Sequence, residues 1–137
     1  LMKAKECLEN NEYTCVLCRG DDLHTSALRG VKPLVMWIES DVDFKSYSAG
    51  DKVIGKATAF LYVLLGVKAV YAKIISKSAL EVMLEHNIDV EYDLLVENIV
   101  NRQGDGICPF ESAVLDITDK HNAYRVILNK MKELNLL

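Results

Sequence analysis

The sequence predicts one α/β domain whose mixed sheet combines an N-terminal β-hairpin with parallel strands and is flanked by helices. Two short apolar segments separated by a polar turn predict the hairpin. A continuous β-branched run at residues 67–75 predicts an interior parallel strand, and helical segments on both sides of it provide the crossover connections that parallel strands need. A chain of 137 residues is long enough for one core, so we expect a single domain, residues 1–137.

The first third of the chain is predicted to form a helix, the hairpin and a second helix. Residues 2–10 have the amphipathic pattern of a short helix. Residues 13–18 and 23–26 are predicted strands, joined by an Arg-Gly-Asp-Asp turn. Pro33 suits the first turn of a helix, where its missing N–H costs nothing, and predicts a helix over residues 33–39.

Residues 50–66 are predicted to form a central, buried helix. The segment 57–67 carries no charge, which is typical of a helix covered on all sides. Ser48 and Asp51 have the spacing of a capping box at its start. Gly66 is expected to end it in the left-handed conformation.

The first turns of this helix conflict with local preferences. Lys52 and Lys56 oppose the helix dipole, and Gly55 within a helix costs about 1 kcal/mol relative to alanine. Such conflicts often mark a functional site. The alternative interpretation is that both lysines extend into solvent and that the glycine only eases packing.

The second half is predicted to alternate between strand and helix. Ser76 or Ser78 caps the helix that follows the strand at residues 67–75, and Asn87 ends it. The remaining predicted elements are a parallel strand at 88–92 and helices at 93–100, 111–117 and 121–134.

Composition limits the classes of function. The net charge of −4 and the pI near 5.4 argue against a nucleic-acid binder, which is usually basic. No apolar run approaches the ~20 residues that a membrane span needs, and no targeting segment is recognisable, so we expect a cytoplasmic protein. No pattern in the sequence predicts a cofactor.

The cysteines and histidines do not predict a metal or redox site. Cys15 and Cys18 have the spacing of a CxxC motif, but residues three apart in a strand point to opposite faces, so two buried thiols are the favoured interpretation. His24, His86 and His121 have no cysteine or carboxylate at metal-ligand spacing and are expected on the surface. We therefore expect no metal ligands.

Two predicted helix starts are expected to form an anion site. The carboxyl ends of neighbouring parallel strands lie at one edge of a sheet, so the helix starts at Asp51 and Ser76 should meet there. Each start offers free backbone N–H groups and a partial positive charge, and two lysines one turn apart would add to it. The predicted ligand-binding residues of these starts are Lys52, Gly55, Lys56, Ser76 and Ser78.

The loop at residues 101–111 is the second candidate site. Cys108 precedes Pro109 and is expected to be a helix N-cap, where the helix dipole favours the thiolate, although Glu111 would oppose it. Cys108 is therefore a candidate nucleophile, with a structural thiol as the alternative. The other candidates are Asp51 and Asp105 for proton transfer, and Asn101 and Arg102 for ligand binding.

The order of elements, with two helix starts facing each other across a strand, resembles the cytidine-deaminase fold, a three-layer sandwich. That family holds zinc through H-x-E at the first helix start and P-C-x-x-C at the second. This chain has Asp-Lys-Val at 51–53 and Ser-Lys-Ser-Ala at 76–79 instead, so the resemblance implies the fold without zinc ligands and without zinc-dependent deamination. Deaminase-like proteins are often oligomers, so the resemblance also implies a homodimer.

Four segments resemble, more specifically, the DUF1893 family of unknown function, which is described as deaminase-like and has no established activity. The resemblance covers most of the chain and points to these segments as the site. They are GVKPL at 30–34, DKVIGKA at 51–57, SKSAL at 76–80 and NRQGDGICP at 101–109.

Three hypotheses of function follow. The first is that the two helix starts bind a small-molecule anion such as a nucleotide, with the loop at 101–111 closing over it. The second is a non-enzymatic interaction or regulatory domain, for which an exposed Trp37 or an apolar patch of C-terminal leucines would be evidence. The third is covalent group transfer by Cys108. Whether the protein is an enzyme is left open by the sequence.

Overall fold

A five-stranded mixed sheet forms the centre of the protein. The structure, a computed structural model, describes residues 2–100, 104 and 106–136. The strands are β1 (Cys15–Arg19), β2 (Asp22–Ser26), β3 (Ser48–Ile54), β4 (Ala69–Ser76) and β5 (Asp89–Val96). The helices are α1 (Met2–Glu9), α2 (Lys32–Glu39), α3 (Lys56–Leu65), α4 (Lys77–Glu85), α5 (Pro109–Ala113) and α6 (Lys120–Glu133).

The sheet combines antiparallel and parallel pairs in the order β2-β1-β3-β4-β5. β1 pairs antiparallel with both β2 and β3, whereas β3 with β4 and β4 with β5 are parallel. The N-terminal hairpin and the parallel pairing of β4 with β5 are thus confirmed. β3 and β4 lie inside the sheet and form backbone hydrogen bonds on both edges.

Helices cover both faces of the sheet unequally. α1 packs on one face, where Leu8 lies in a cluster with Val16, Cys18 and Tyr71. The other helices pack on the opposite face around α3, which contacts α2, α4, α5 and α6. Cys15 belongs to this larger core, whereas Cys18 faces α1, so the prediction that the two thiols point to opposite faces is confirmed.

The predicted start of the central helix is wrong. The segment assigned to its first turn forms β3, and α3 begins only at Lys56, with Gly55 as an N-cap of extended conformation (φ −94°). Pairing with β1 and β4 stabilises the strand along its length, whereas the capping-box pattern of Ser48 and Asp51 offers hydrogen bonds to a single turn. Gly66 ends α3 with φ 79°, as predicted.

The predicted helix at residues 93–100 is also wrong. The three residues after Asp93 continue the parallel ladder between β5 and β4, and beyond them Val100 forms an isolated antiparallel bridge with Ile107. Pairing with a strand that is already in place overrides the local helical pattern, because strand formation depends strongly on neighbouring strands.

The remaining helices begin and end close to the predicted positions, except that the helix predicted at 111–117 is α5, which ends at Ala113. The side chain of Ser76 accepts a hydrogen bond from the N–H of Ala79, so Ser76 rather than Ser78 caps α4. Asn87 follows α4 with a positive φ of 60°, and Cys108 is the N-cap of α5. Among the helices in the described part of the chain, none has the length and hydropathy that crossing a membrane requires.

Candidate functional site

Two helices begin side by side at one edge of the sheet. Ile54, the last residue of β3, pairs with Ile75 of β4. Gly55 and Ser76, the N-caps of α3 and α4, therefore follow at the same level. The two helix starts are neighbours, but the first lies at Gly55 and not at Asp51, which is inside β3.

The carboxylate of Glu111 fills the space beside both helix starts. Its Oε1 accepts a hydrogen bond from Oγ of Ser78 (3.2 Å), and its Oε2 accepts one from the N–H of Ile99 (2.7 Å). Oε2 also lies 3.3 Å from the point that a Cβ atom of Gly55 would occupy, and the side chain is buried. A carboxylate of the protein thus lies where the sequence predicts the anion of a ligand.

A cleft of about 660 Å³ opens next to Glu111. Its walls come from the end of β3, the start of α3, the loop before α2, the start of α5 and the residues after α6. A volume of this size is typical of small-molecule sites. Most of the side chains that line the cleft are apolar, and the charged ones are Arg29, Lys32, Asp51, Lys52 and Glu111.

Asp51 places a buried carboxyl group in the wall of this cleft. Its Oδ2 accepts a hydrogen bond from the hydroxyl of Tyr62 (2.7 Å), and its Oδ1 accepts one from the N–H of Val53 (3.2 Å). Burial raises the pKa of Asp51 to about 7, although these hydrogen bonds oppose the shift. Cys15 lies opposite in β1, and burial, together with the charge of Asp51, raises the pKa of its thiol. A carboxyl group that exchanges a proton near neutral pH in a cleft is typical of functional sites.

The two lysines predicted to share a helix face are separated, because α3 begins after Lys52. Lys52 is half-buried in β3 and contributes to the cleft, but it also lines a second, smaller cavity on the α1 face with Tyr71 and Lys73, as expected for the residue that follows Asp51 in a strand. Lys56 does not line the cleft, and its Nζ donates a hydrogen bond to the carbonyl oxygen of Leu115 (2.7 Å). Arg29 and Lys32, which are not among the predicted site residues, are exposed and line the same cleft. Arg29 precedes and Lys32 belongs to the segment GVKPL at 30–34, which is one of the four segments identified in the sequence. The two residues could have been predicted from that segment.

Cys108 lines the cleft at the start of α5. Its side chain is half-buried and forms no capping hydrogen bond, while its N–H donates to the carbonyl oxygen of Ile99 at 2.8 Å. The role of this thiol as a nucleophile stays a prediction. The other predicted residues of this loop, Asn101, Arg102 and Asp105, lie outside the described residues.

The remaining residues singled out in the sequence lie elsewhere. His24 is half-buried instead of exposed, and its ring packs edge-to-face on Phe44 with 4.9 Å between the ring centroids. His86 and His121 are exposed, as expected, and Trp37 is half-buried against the core. Within residues 2–100, 104 and 106–136, no group of three or more histidine, cysteine, aspartate or glutamate side chains has an arrangement that could hold a metal ion.

The raised pKa of Asp51 makes stability depend on pH. The folded state, with a pKa of about 7, keeps a proton that the unfolded state, with a value near 3.8, has lost. We therefore expect the free energy of unfolding to fall as pH rises from about 4 to 7, by roughly 4 kcal/mol in total. The side chain in the Asp51→Asn variant cannot ionise, so the free energy of unfolding of this variant should not show this decrease with pH. Urea denaturation of both proteins across this range measures the effect, and parallel pH curves would contradict it.

The two hydrogen bonds of Glu111 predict a large effect of a small change. Glu111→Met keeps the length of the side chain but removes both carboxylate oxygens, so the N–H of Ile99 and the hydroxyl of Ser78 lose this acceptor. We expect the free energy of unfolding to fall by about 1–3 kcal/mol. Glu81→Met, an exposed change on α4, is the matched control and should stay within about 0.5 kcal/mol of the wild type. Equal stability of the two variants would refute a structural role for this carboxylate.

Comparison with known proteins places the chain in a family. A family model described as a domain of unknown function, DUF1893, matches residues 3–131. No curated protein matches the chain. Among solved structures, the crystal structure of a DUF1893 family protein, TM1506 from Thermotoga maritima, is similar, with a TM-score of 0.87 and 28% sequence identity over 94% of this chain and 88% of that chain. The family match spans most of the sequence, and the structural likeness extends to the fold as a whole, so the chain belongs to the DUF1893 family.

Proposed function

We propose that the cleft binds a small molecule that carries a phosphate or another anionic group, as nucleotides do. The observation that carries this proposal is the presence of two exposed cationic residues, Arg29 and Lys32, among those that line a cleft of about 660 Å³, to which Lys52 also contributes. In a chain with a net charge of −4, cations gathered at one concave site favour an anionic ligand.

We place the anionic group of the ligand at these cationic side chains and not between the two helix starts. The carboxylate of Glu111 lies beside both starts, and its charge would repel a second anion there. Ser78, a predicted ligand contact, donates its hydrogen bond to Glu111, and Lys56 is bound to backbone outside the cleft. Asn101 and Arg102 remain candidate ligand contacts on the basis of the sequence.

We also infer that the fold is deaminase-like but lacks the zinc site. The mixed sheet and the two helices that begin side by side after β3 and β4 support this inference. At these starts the chain has Gly-Lys-Ala at 55–57 and Ser-Lys-Ser-Ala at 76–79, where zinc-dependent deaminases have H-x-E and P-C-x-x-C. All four cysteines are free thiols, which supports a reducing compartment such as the cytoplasm.

The anion site predicts that one lysine matters and two others do not. We expect a phosphate-bearing ligand from a panel of nucleotides, sugar phosphates and inorganic phosphate to raise the melting temperature. Lys32→Ala, which removes an exposed cation of the cleft, should weaken its binding about tenfold, since a charge-assisted contact is lost. Lys56→Ala and Lys73→Ala, whose side chains do not line the cleft, are the controls and should bind as the wild type does. The absence of stabilisation by any anion, or equal affinities of all three variants, would refute the proposal.

A reaction in the same cleft is the second candidate function, because Asp51 and Cys108 both line it. The thiolate of Cys108 would form a bond to the transferred group as the bond between that group and its donor breaks, and protonated Asp51 would give its proton to the leaving group.

A nucleophilic Cys108 predicts fast alkylation. Cys7 is a suitable internal control, since it is also a half-buried free thiol but lies on α1, outside the cleft. We expect iodoacetamide at neutral pH to label Cys108 faster than Cys7, because only a thiolate reacts quickly. Mass spectrometry of digested protein measures both rates, and equal rates would leave Cys108 as a structural thiol.

A further inference from the structure

We propose that the ligand is an amphiphile, in which an anionic head (a phosphate or a carboxylate) is joined to an apolar body such as an alkyl chain or a fused ring. The anionic head of the ligand is the group bound in the proposed function, so this class of ligand rests on that proposal. The apolar body of the ligand is inferred from the distribution of apolar and charged side chains in the cleft.

Four apolar side chains that line the cleft are exposed to solvent, and we call them the apolar rim. They come from β3, from the bridge that follows β5 and from the residues after α6, and are thus brought together from three parts of the chain. Exposed apolar surface gathered at a concave site favours an apolar ligand. The rim consists of Val53 (43% exposed), Val100 (60%), Leu134 (42%) and Leu136 (41%).

The apolar surface continues from the rim into the cleft. Val31 and Phe110 are buried and line it, as does Ala57 from the first turn of α3. A ligand whose body lies along these side chains removes both its own apolar surface and that of the rim from water, and this is the main source of affinity for apolar groups.

The polar groups of the floor already have partners within the protein. Asp51 accepts hydrogen bonds from Tyr62 and Val53, and Glu111 accepts them from Ile99 and Ser78. In the part of the chain that the structure describes, no buried side-chain nitrogen or oxygen lacks a hydrogen-bond partner. A polar base edge would therefore find few free partners on this floor, whereas an apolar body needs none.

The charges determine the orientation of the ligand. The carboxylate of Glu111 repels an anion from the buried part of the lining, while Arg29 and Lys32, both exposed, attract it to the exposed part. Lys52, half-buried in β3, lies in the same lining. The head of the ligand thus lies at the cations, with the body against the apolar rim and the side chains below it.

A homologous series tests the apolar body. Isothermal titration with n-alkyl phosphates from butyl to decyl, each below its critical micelle concentration, should show affinity rising roughly fourfold per added CH₂ group. The rise should end once the chain fills the cleft. Matched n-alkyl carboxylates, n-alkyl alcohols and adenine nucleotides complete the panel.

Two kinds of variant separate the head from the body. Leu136→Gln and Val53→Thr, both partly exposed positions of the apolar rim, should reduce the gain per CH₂ group. Lys32→Ala should weaken every alkyl phosphate of the series by the same factor. Leu84→Gln, at an exposed leucine of α4 outside the cleft, is the control and should leave the series unchanged. Melting curves establish that each variant is folded before it is titrated.

The outcomes distinguish this proposal from the proposed function. If nucleotides bind but all alkyl phosphates bind with the same affinity, the proposal of an apolar body is wrong, whereas the proposed anion site is supported. If the alcohols bind as well as the phosphates, the apolar body stands and the anion site is wrong. Sedimentation with anionic vesicles but no binding of soluble alkyl phosphates would overturn the proposal in favour of a membrane surface. A dimer that Leu136→Gln dissociates would overturn it in favour of a second copy of the chain.

Discussion

The parallel pairing of β3 with β4 is the constraint on which the site depends. Because Ile54, the last residue of β3, pairs with Ile75, the last but one of β4, the chain continues into two helices that begin beside each other. Helix starts carry N–H groups without intrahelical partners and a partial positive charge. Glu111 supplies the complementary negative charge. It bonds Ser78 at the start of α4 and Ile99 after β5, and it packs against Gly55 at the start of α3. A Cβ at Gly55 would lie 3.2 Å from Ile99 Cγ1 and 3.3 Å from Glu111 Oε2, so a larger residue would push these side chains aside, although its φ of −94° is open to any residue. One side chain on a five-residue helix therefore connects three other parts of the protein.

Two carboxyl groups lie at the cleft in different environments. Glu111 accepts a short hydrogen bond from backbone and a second one from a hydroxyl group, and its contacts make it part of the fold. Asp51 also accepts two hydrogen bonds, but the loss of hydration outweighs them and raises its pKa to about 7. Asp51 thus changes charge near neutral pH in a cleft lined mainly by apolar side chains. Membership in the DUF1893 family leaves the activity open, so function has to be argued from these side chains and not from the fold.

The fold was predictable where local chemistry specifies an element. A polar turn between apolar segments specifies the hairpin, a proline specifies the start of α2, and a β-branched run specifies β4. The serine cap of α4 and the glycine that ends α3 are equally local. β3 was not predictable, because residues 48–54 contain a capping pattern and become a strand only through pairing with β1 and β4, which lie far away in the sequence. The end of β5 was mispredicted for the same reason.

The candidate site was likewise predictable only in the part that local sequence specifies. The sequence by itself indicated part of the lining, since the predicted Lys56, Ser76 and Ser78 do not line the cleft, whereas Asp51, Lys52, Gly55 and Cys108 do. Their unusual residue types, a glycine and charged groups beside an apolar run, are visible without coordinates. Only the tertiary structure decided that Glu111 lies beside the helix starts and that Arg29, Lys32, Leu134 and Leu136 complete the cleft. These residues are up to about a hundred positions apart in the chain. No local pattern encodes their proximity, which follows from the packing of α2, α5 and α6 around α3 on one face of the sheet.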